Sequence, residues 1–195
     1  MEVRALAIDG PLVIYPDVYN DDRGYFFESF NEREFKEKVA DIDFVQDNES
    51  MSADGVIRGL HFQKPPFDQA KLVRVVSGAV IDIAVDLRKG SPTYGRYWNV
   101  YLSDTNHKQL FIPRGFAHGF VAIKPDTVFQ YKCDNFYNKE SEGSIRYDDP
   151  DIAIPWSNWV HESQRILSEK DLKAVAFKDF DSPWIYEVTD MGTGC

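Results

Sequence analysis

The chain has 195 residues, 43% hydrophobic and 14% aromatic, enough to bury one sizeable core, and residues 1–188 read as a single domain. Its formal charge of -10, with 32 acids against 22 Lys and Arg, excludes the basic stripe a nucleic-acid backbone requires; an anionic small ligand is left to a local group of arginines. No apolar run approaches the roughly 20 residues of a membrane helix, and MEVRALAIDG lacks a signal-peptide core, so a soluble, cytoplasmic protein with no membrane partner is expected.

In chain order, LVIYP and RGYFFESF read as strands, followed by a helix over NEREFKEKV with Asn31 as N-cap and Glu34 three residues on. DFVQDN, VIRGLHFQ, KLVRVV, AVIDIAVDL, WNVYLS, QLFIP, GFVAI, TVFQYKC and SIRYDD then follow as short runs rich in Val, Ile, Tyr and Phe between turn signals. A second short helix is marked by SEKDLKAV. Many short strands without alternating helices indicate an all-β sandwich or barrel with peripheral helices. In AVIDIAVDL, Ile81, Ile83, Val85 and Leu87 share one face and Asp82 and Asp86 the other. The final TDMGTGC, residues 189–195, lacks apolar residues that would dock it and reads as a loosely held tail. Cys133 and Cys195 form neither a disulfide framework nor a zinc spacing.

Four histidines are present, and His107 in SDTNHK and His161 in WSNWVHES read as surface residues. By alternation His61 shares a face with Ile57, Gly59 and Gln63, unless Gly59 marks a bulge, in which case Arg58 and His61 converge. Lys71 falls on the face of Val73 and Val75; it either reaches the interior, where an ammonium needs an anionic partner, or snorkels at a solvated strand start. Tyr131 shares an inward face with Phe129 and Cys133, whereas Gln130 and Lys132 point outward. Asp171 stands at the third helical position after Ser168, which is by itself a capping pattern.

His118 lies in FIPRGFAHGF, a Pro-x-Gly-x-x-His segment similar to the second metal-binding motif of the cupins. The first cupin motif supplies a His-x-His pair, but here Gln63 stands two residues after His61. The ligand set is incomplete, so a metal-free cupin-type barrel is expected.

Taken together, DDRGYFFESF, FVQDNES, IRGLHFQ, KLVRVVSG, DIAVDLRKGSPTYG, FIPRGFAHGF, QYKCDNFY, SEGSIRYDDP and LSEKD, in this order from about residue 11 to about residue 173, resemble the dTDP-4-dehydrorhamnose 3,5-epimerase family. The resemblance implies a homodimeric, metal-free, cupin-like jelly roll that needs no cofactor and inverts two carbons of a nucleotide-linked 4-keto-6-deoxy sugar on the route to L-rhamnose. It implies His61 as general base, Tyr131 as the acid on the opposite face and Asp171 as partner of His61. Lys71 and His118 would meet the charge developing at O4. For substrate binding it points to Arg23, Glu28, Gln46, Asp47, Asn48, Arg58, Tyr137, Glu142 and Lys170. Phe136 is a departure, since members often carry a second tyrosine beside the residue matching Tyr137. Relatives on the same scaffold invert C3 alone or move the keto group, and a metal-dependent cupin oxygenase or a silent carbohydrate-binding sandwich are the readings from other classes.

Overall fold

Strands β1 (Glu2–Ala5), β2 (Leu12–Tyr15), β3 (Tyr19–Asp21) and β4 (Gly24–Phe26) open the chain, and helix α1 (Glu32–Lys38) follows. The computed structural model describes residues 1–7 and 9–187, so the expected loose tail at 189–195 lies outside the described residues. After α1 come β5 (Gln46–Ser52), β6 (Ile57–Gln63), β7 (Lys71–Ser77), β8 (Ala79–Asp86), β9 (Tyr97–Ser103), β10 (Gln109–Ile112), β11 (Phe116–Ala122), β12 (Thr127–Cys133) and β13 (Glu142–Ser144). Helix α2 (Glu169–Leu172) lies in the C-terminal segment. No helix among the described residues is long and apolar enough to cross a membrane.

The strands form two antiparallel sheets, one in the order β1-β2-β10-β7-β12-β5 and the other β13-β6-β11-β8-β9, while β3 and β4 make a separate hairpin. This is the expected all-β, cupin-like jelly roll. Val73, Val75 and Phe129 of the first sheet meet Val80, Ala84 and Phe120 of the second in the core between them. Both outer faces are covered as well. Phe35 of α1 packs on Ile14, Leu72 and Phe111, and the C-terminal segment lays Ile154, Trp156, Val160 and Trp184 over the second sheet.

The outer cover sets which way each face of β8 turns. Ile81, Ile83, Val85 and Leu87 pack beneath the C-terminal segment, and the face carrying Asp82 turns in between the sheets. Every residue of β8 is therefore buried, as in strands covered on both faces.

Both expected helices form on their caps: Asn31 accepts from Glu34 N–H, and Ser168 accepts from Asp171 N–H. SIRYDD is a correction. The strand is Glu142–Ser144, and Ile145 leaves it fully buried, bridging to Val175, while Arg146 pairs with Asp148 in the turn beyond. Only Gly24–Phe26 of RGYFFESF is strand, and β1 and β3 carried no signal strong enough to be expected.

Candidate active site

Gly59 decides where His61 points. On β11, His118 stands opposite His61 but Phe120 stands opposite Arg58, so β6 carries one residue more than its partner between these pairs. The bulge needs Gly59: its φ is +134°, and a Cβ there would lie 2.5 Å from the Cα of Gly119. Ile57, Leu60 and Phe62 consequently pack under the C-terminal cover, and Arg58, His61 and Gln63 share the opposite face. The open alternative for VIRGLHFQ resolves to the bulge.

That face borders a cavity of about 270 Å³ lined by Gln46, Asn48, His61, Gln63, Gln69, Lys71, Tyr131, Tyr137 and Glu142, together with Phe62. Strand alternation delivers the groups from the other sheet: Lys71 starts β7 with its ammonium 5.8 Å from the Tyr131 ring centroid, and Tyr131 follows Phe129 inward along β12. Lys71 thus takes the interior alternative.

α2 supplies the carboxylate. His61 Nε2 and Asp171 Oδ1 are 2.5 Å apart, and Ser168 Oγ donates to Asp171 Oδ2 at 2.9 Å. Burial alone would raise the Asp171 carboxyl, but the His61 contact and charge and the Ser168 hydrogen bond outweigh it and hold it below its ordinary value. The same side chain that reads as a cap in sequence is therefore an ionised partner of His61.

Deeper in, His118 Nε2 lies 3.1 and 3.0 Å from the two oxygens of Asp82, and Phe129 stacks on the imidazole. Burial lowers His118 and raises Asp82, so both directions favour an uncharged pair. Burial also pulls Lys71 below the usual lysine range, against the opposing influence of Cys133, Asp82 and Glu142. Tyr131 is raised by burial, and Cys133 and Glu142 add to that rise while Arg58 opposes it, which keeps the phenol protonated. The Cys133 thiol itself is pushed up to about 11, chiefly by burial. Asp82 is the buried group that sequence reading missed; its signal was a lone acid between Val80 and Ala84.

Arg58 does not line the cavity itself; it donates to Ser52 Oγ and Met51 O, both at 3.1 Å. Lys170 pairs with Glu142, which also accepts from the Tyr137 hydroxyl at 3.3 Å. Burial would raise Glu142, and the Lys170 bond and charge reverse that and lower it.

The remaining residues stand apart. Asp47 is turned away by the alternation of β5, pairing with Lys132 on the outer face at 3.0 Å, so of the QDN triplet only Gln46 and Asn48 reach the cavity. Arg23 pairs with Asp21 on the exposed β3–β4 hairpin. Glu28 accepts from Asn31 and lines a separate cleft with Phe30, Phe35 and Gln109. Among the described residues no group of three His, Cys, Asp or Glu is placed to hold a metal ion.

A jelly roll whose interior sets a His–Asp pair across from a lysine and a protonated tyrosine defines a cupin-like protein equipped for proton transfer. The dTDP-4-dehydrorhamnose 3,5-epimerase family model matches residues 5–179, and the chain belongs to that family. It is 52% identical over 165 residues to the dTDP-4-dehydrorhamnose 3,5-epimerase of Methanothermobacter thermautotrophicus, covering 85% of this chain and 88% of that one. The crystal structure of the Elizabethkingia anophelis enzyme of the same name superposes with a TM-score of 0.85 at 50% identity, covering 92% and 97% of the two chains. A dTDP-6-deoxy-D-glucose-3,5-epimerase from Legionella pneumophila, solved in complex with dTDP-4-keto-L-rhamnose, gives a TM-score of 0.88 at 43% identity, covering 95% and 98%.

Proposed function

We propose that this protein inverts C3 and C5 of dTDP-4-dehydro-6-deoxy-D-glucose, giving dTDP-4-dehydro-L-rhamnose. The observation that carries the reading is the His61–Asp171 pair facing Lys71 and Tyr131 across one cavity. A C4 ketone acidifies the hydrogens at C3 and C5. With Asp171 ionised, the ring nitrogen facing it holds the proton and the other carries the lone pair that removes either hydrogen. The electron pair left on carbon moves into an enolate with its charge on O4. Lys71 donates an N–H to O4 whether charged or neutral, and His118, with the shared proton on Asp82, keeps an N–H on the nitrogen turned away from that carboxyl. Tyr131, protonated on the other wall, returns a proton to the opposite face and the centre inverts. Only protons move, so the balance calls for no redox cofactor.

Arg58, and Lys170 beside Glu142, suit the pyrophosphate of the nucleotide, and Asn48, Tyr137 and Glu142 suit the sugar. Arg23 and Glu28 belong to this site only if a second copy brings them, and the β3–β4 hairpin, which carries Arg23 and precedes Glu28, exposes Tyr19, Tyr25 and Phe26. We therefore read the protein as a homodimer in which the hairpin of one protomer completes the cavity of its partner.

Proton NMR of dTDP-4-keto-6-deoxy-D-glucose with the protein in deuterated water tests the chemistry. Loss of signal at both C3 and C5 is the expected result; loss at C3 alone would make it a mono-epimerase, and loss at neither would reject the reading. His61→Ala is expected to slow exchange at both carbons by at least about a hundredfold, the usual weight of a general base, and Tyr131→Phe to permit exchange while slowing inversion.

A further inference from the structure

The loop from β12 to β13 carries Tyr137, a residue 54% exposed whose hydroxyl donates to Glu142 at 3.3 Å, its one side-chain hydrogen bond among the described residues. With more than half of the residue exposed, packing holds the ring only in part, and its place depends also on the backbone beneath it. That backbone is gripped residue by residue. Gln69 Nε2 donates to Asn135 O at 2.7 Å, and Gln63 Nε2 donates to Phe136 O at 3.3 Å. Gln46 Oε1 accepts from Tyr137 N–H at 3.0 Å, and Gln63 Oε1 accepts from Asn138 N–H at 2.7 Å. The three glutamines come from β5, from β6 and from the segment before β7, and all line the cavity.

We propose that Gln46, Gln63 and Gln69 are positioning residues for Tyr137: their amides clamp the backbone of residues 135–138 so that the phenol stands beside Glu142 at the cavity mouth. The proposal rests on reading this cavity as the epimerisation site. Amides suit the task because one side chain offers donor and acceptor at the same end. They are also neutral, and so add no charge where an anionic substrate must enter. Gln63 is the centre of the clamp. It is only 6% exposed, and its Nε2 reaches Phe67 O at 2.8 Å as well, tying the loop to the chain that follows β6. The position two residues after His61, where a metal-binding cupin has a second histidine, thus holds a loop here. Phe136 fits the same picture, since the clamp uses its carbonyl and leaves the residue 61% exposed.

The test is a double-mutant cycle between Gln63→Leu and Tyr137→Ala, read by steady-state kinetics on dTDP-4-keto-6-deoxy-D-glucose, with thermal midpoints to confirm folding. Gln63→Leu is expected to raise KM about tenfold with kcat within about threefold, the pattern of lost substrate binding. In the Tyr137→Ala background it should add less than about twofold. Losses that multiply, or an unchanged KM in folded Gln63→Leu, would overturn the proposal. If Gln63→Leu does not fold, Gln46→Leu, which removes the bond to Tyr137 N–H, is put through the same cycle with the same expectation. A wild type that exchanges no deuterium at C3 or C5 rejects the parent reading; an active wild type with multiplying losses rejects the clamp alone.

Discussion

Asp82 occupies a position between Val80 and Ala84 that faces the core between the sheets, with His118 as its hydrogen-bond partner. If the pair is uncharged and Asp82 supplies the proton to Nε2, an amide N–H can take over that donation. Asp82→Asn is therefore expected to keep kcat/KM within about twofold, whereas Asp82→Leu leaves a buried nitrogen unpaired and costs about 1–3 kcal/mol, a drop of roughly fivefold to 150-fold. Equal damage from both substitutions, measured on folded protein, would show that the site uses the charge of Asp82. Tyr131 was legible from alternation because Phe129 and Cys133 set the inward face of its strand; alternation left Lys71 between two readings and put His61 on the face of Ile57, from which the bulge at Gly59 separates it. Asp82 was not legible, since AVIDIAVDL has its clean apolar face under the outer cover, and nothing local distinguishes an outer cover from a core. Asp47 shows the reverse error: a motif taken as a triplet overrides the alternation that sends its middle residue outward.

At the scale of the element, β6 works as a site only because it is irregular. Without the extra residue at Gly59, alternation would place Arg58 on the face opposite His61. Gly59→Ala meets the Gly119 backbone at a positive φ, so neither side can yield by rotating a side chain. We expect a loss of about 2–4 kcal/mol in stability, a fall of roughly 5–15 °C in thermal midpoint for a chain of this size. Activity should fall further than stability explains, because Arg58 and His61 are re-aimed together; a variant with wild-type midpoint and activity would remove the bulge from the account. A glycine inside a strand signals such a bulge in sequence but leaves its direction open. The helices were legible because caps are local: Asn31 and Ser168 each announce their turn. SIRYDD was misplaced because Ile145 is claimed by a long-range contact, its bridge to Val175 and burial under the C-terminal cover, that no local pattern records.

For the whole molecule, Arg23 and Glu28 separate two ways of building the site. Within one protomer Arg23 is on a protruding hairpin with 90% of its side chain exposed, paired with Asp21, while Glu28 faces a different cleft. A large aromatic surface on a solvated hairpin is costly to leave uncovered, and a two-fold dimer would cover it twice by the same contact. In that arrangement one active site draws His61 from one protomer and Arg23 from its partner. Arg23→Ala and His61→Ala proteins, each nearly inactive alone, should then complement when mixed under conditions that let subunits exchange. A heterodimer has one site with both defects and one with neither, so random exchange predicts recovery of about a quarter of wild-type activity. If both proteins are dimeric and exchange but recover nothing, Arg23 acts within its own chain or not at all. Recovery would also explain why the DRGYFFES motif is unreadable from a single fold: its residues serve a cavity that their own chain does not contain.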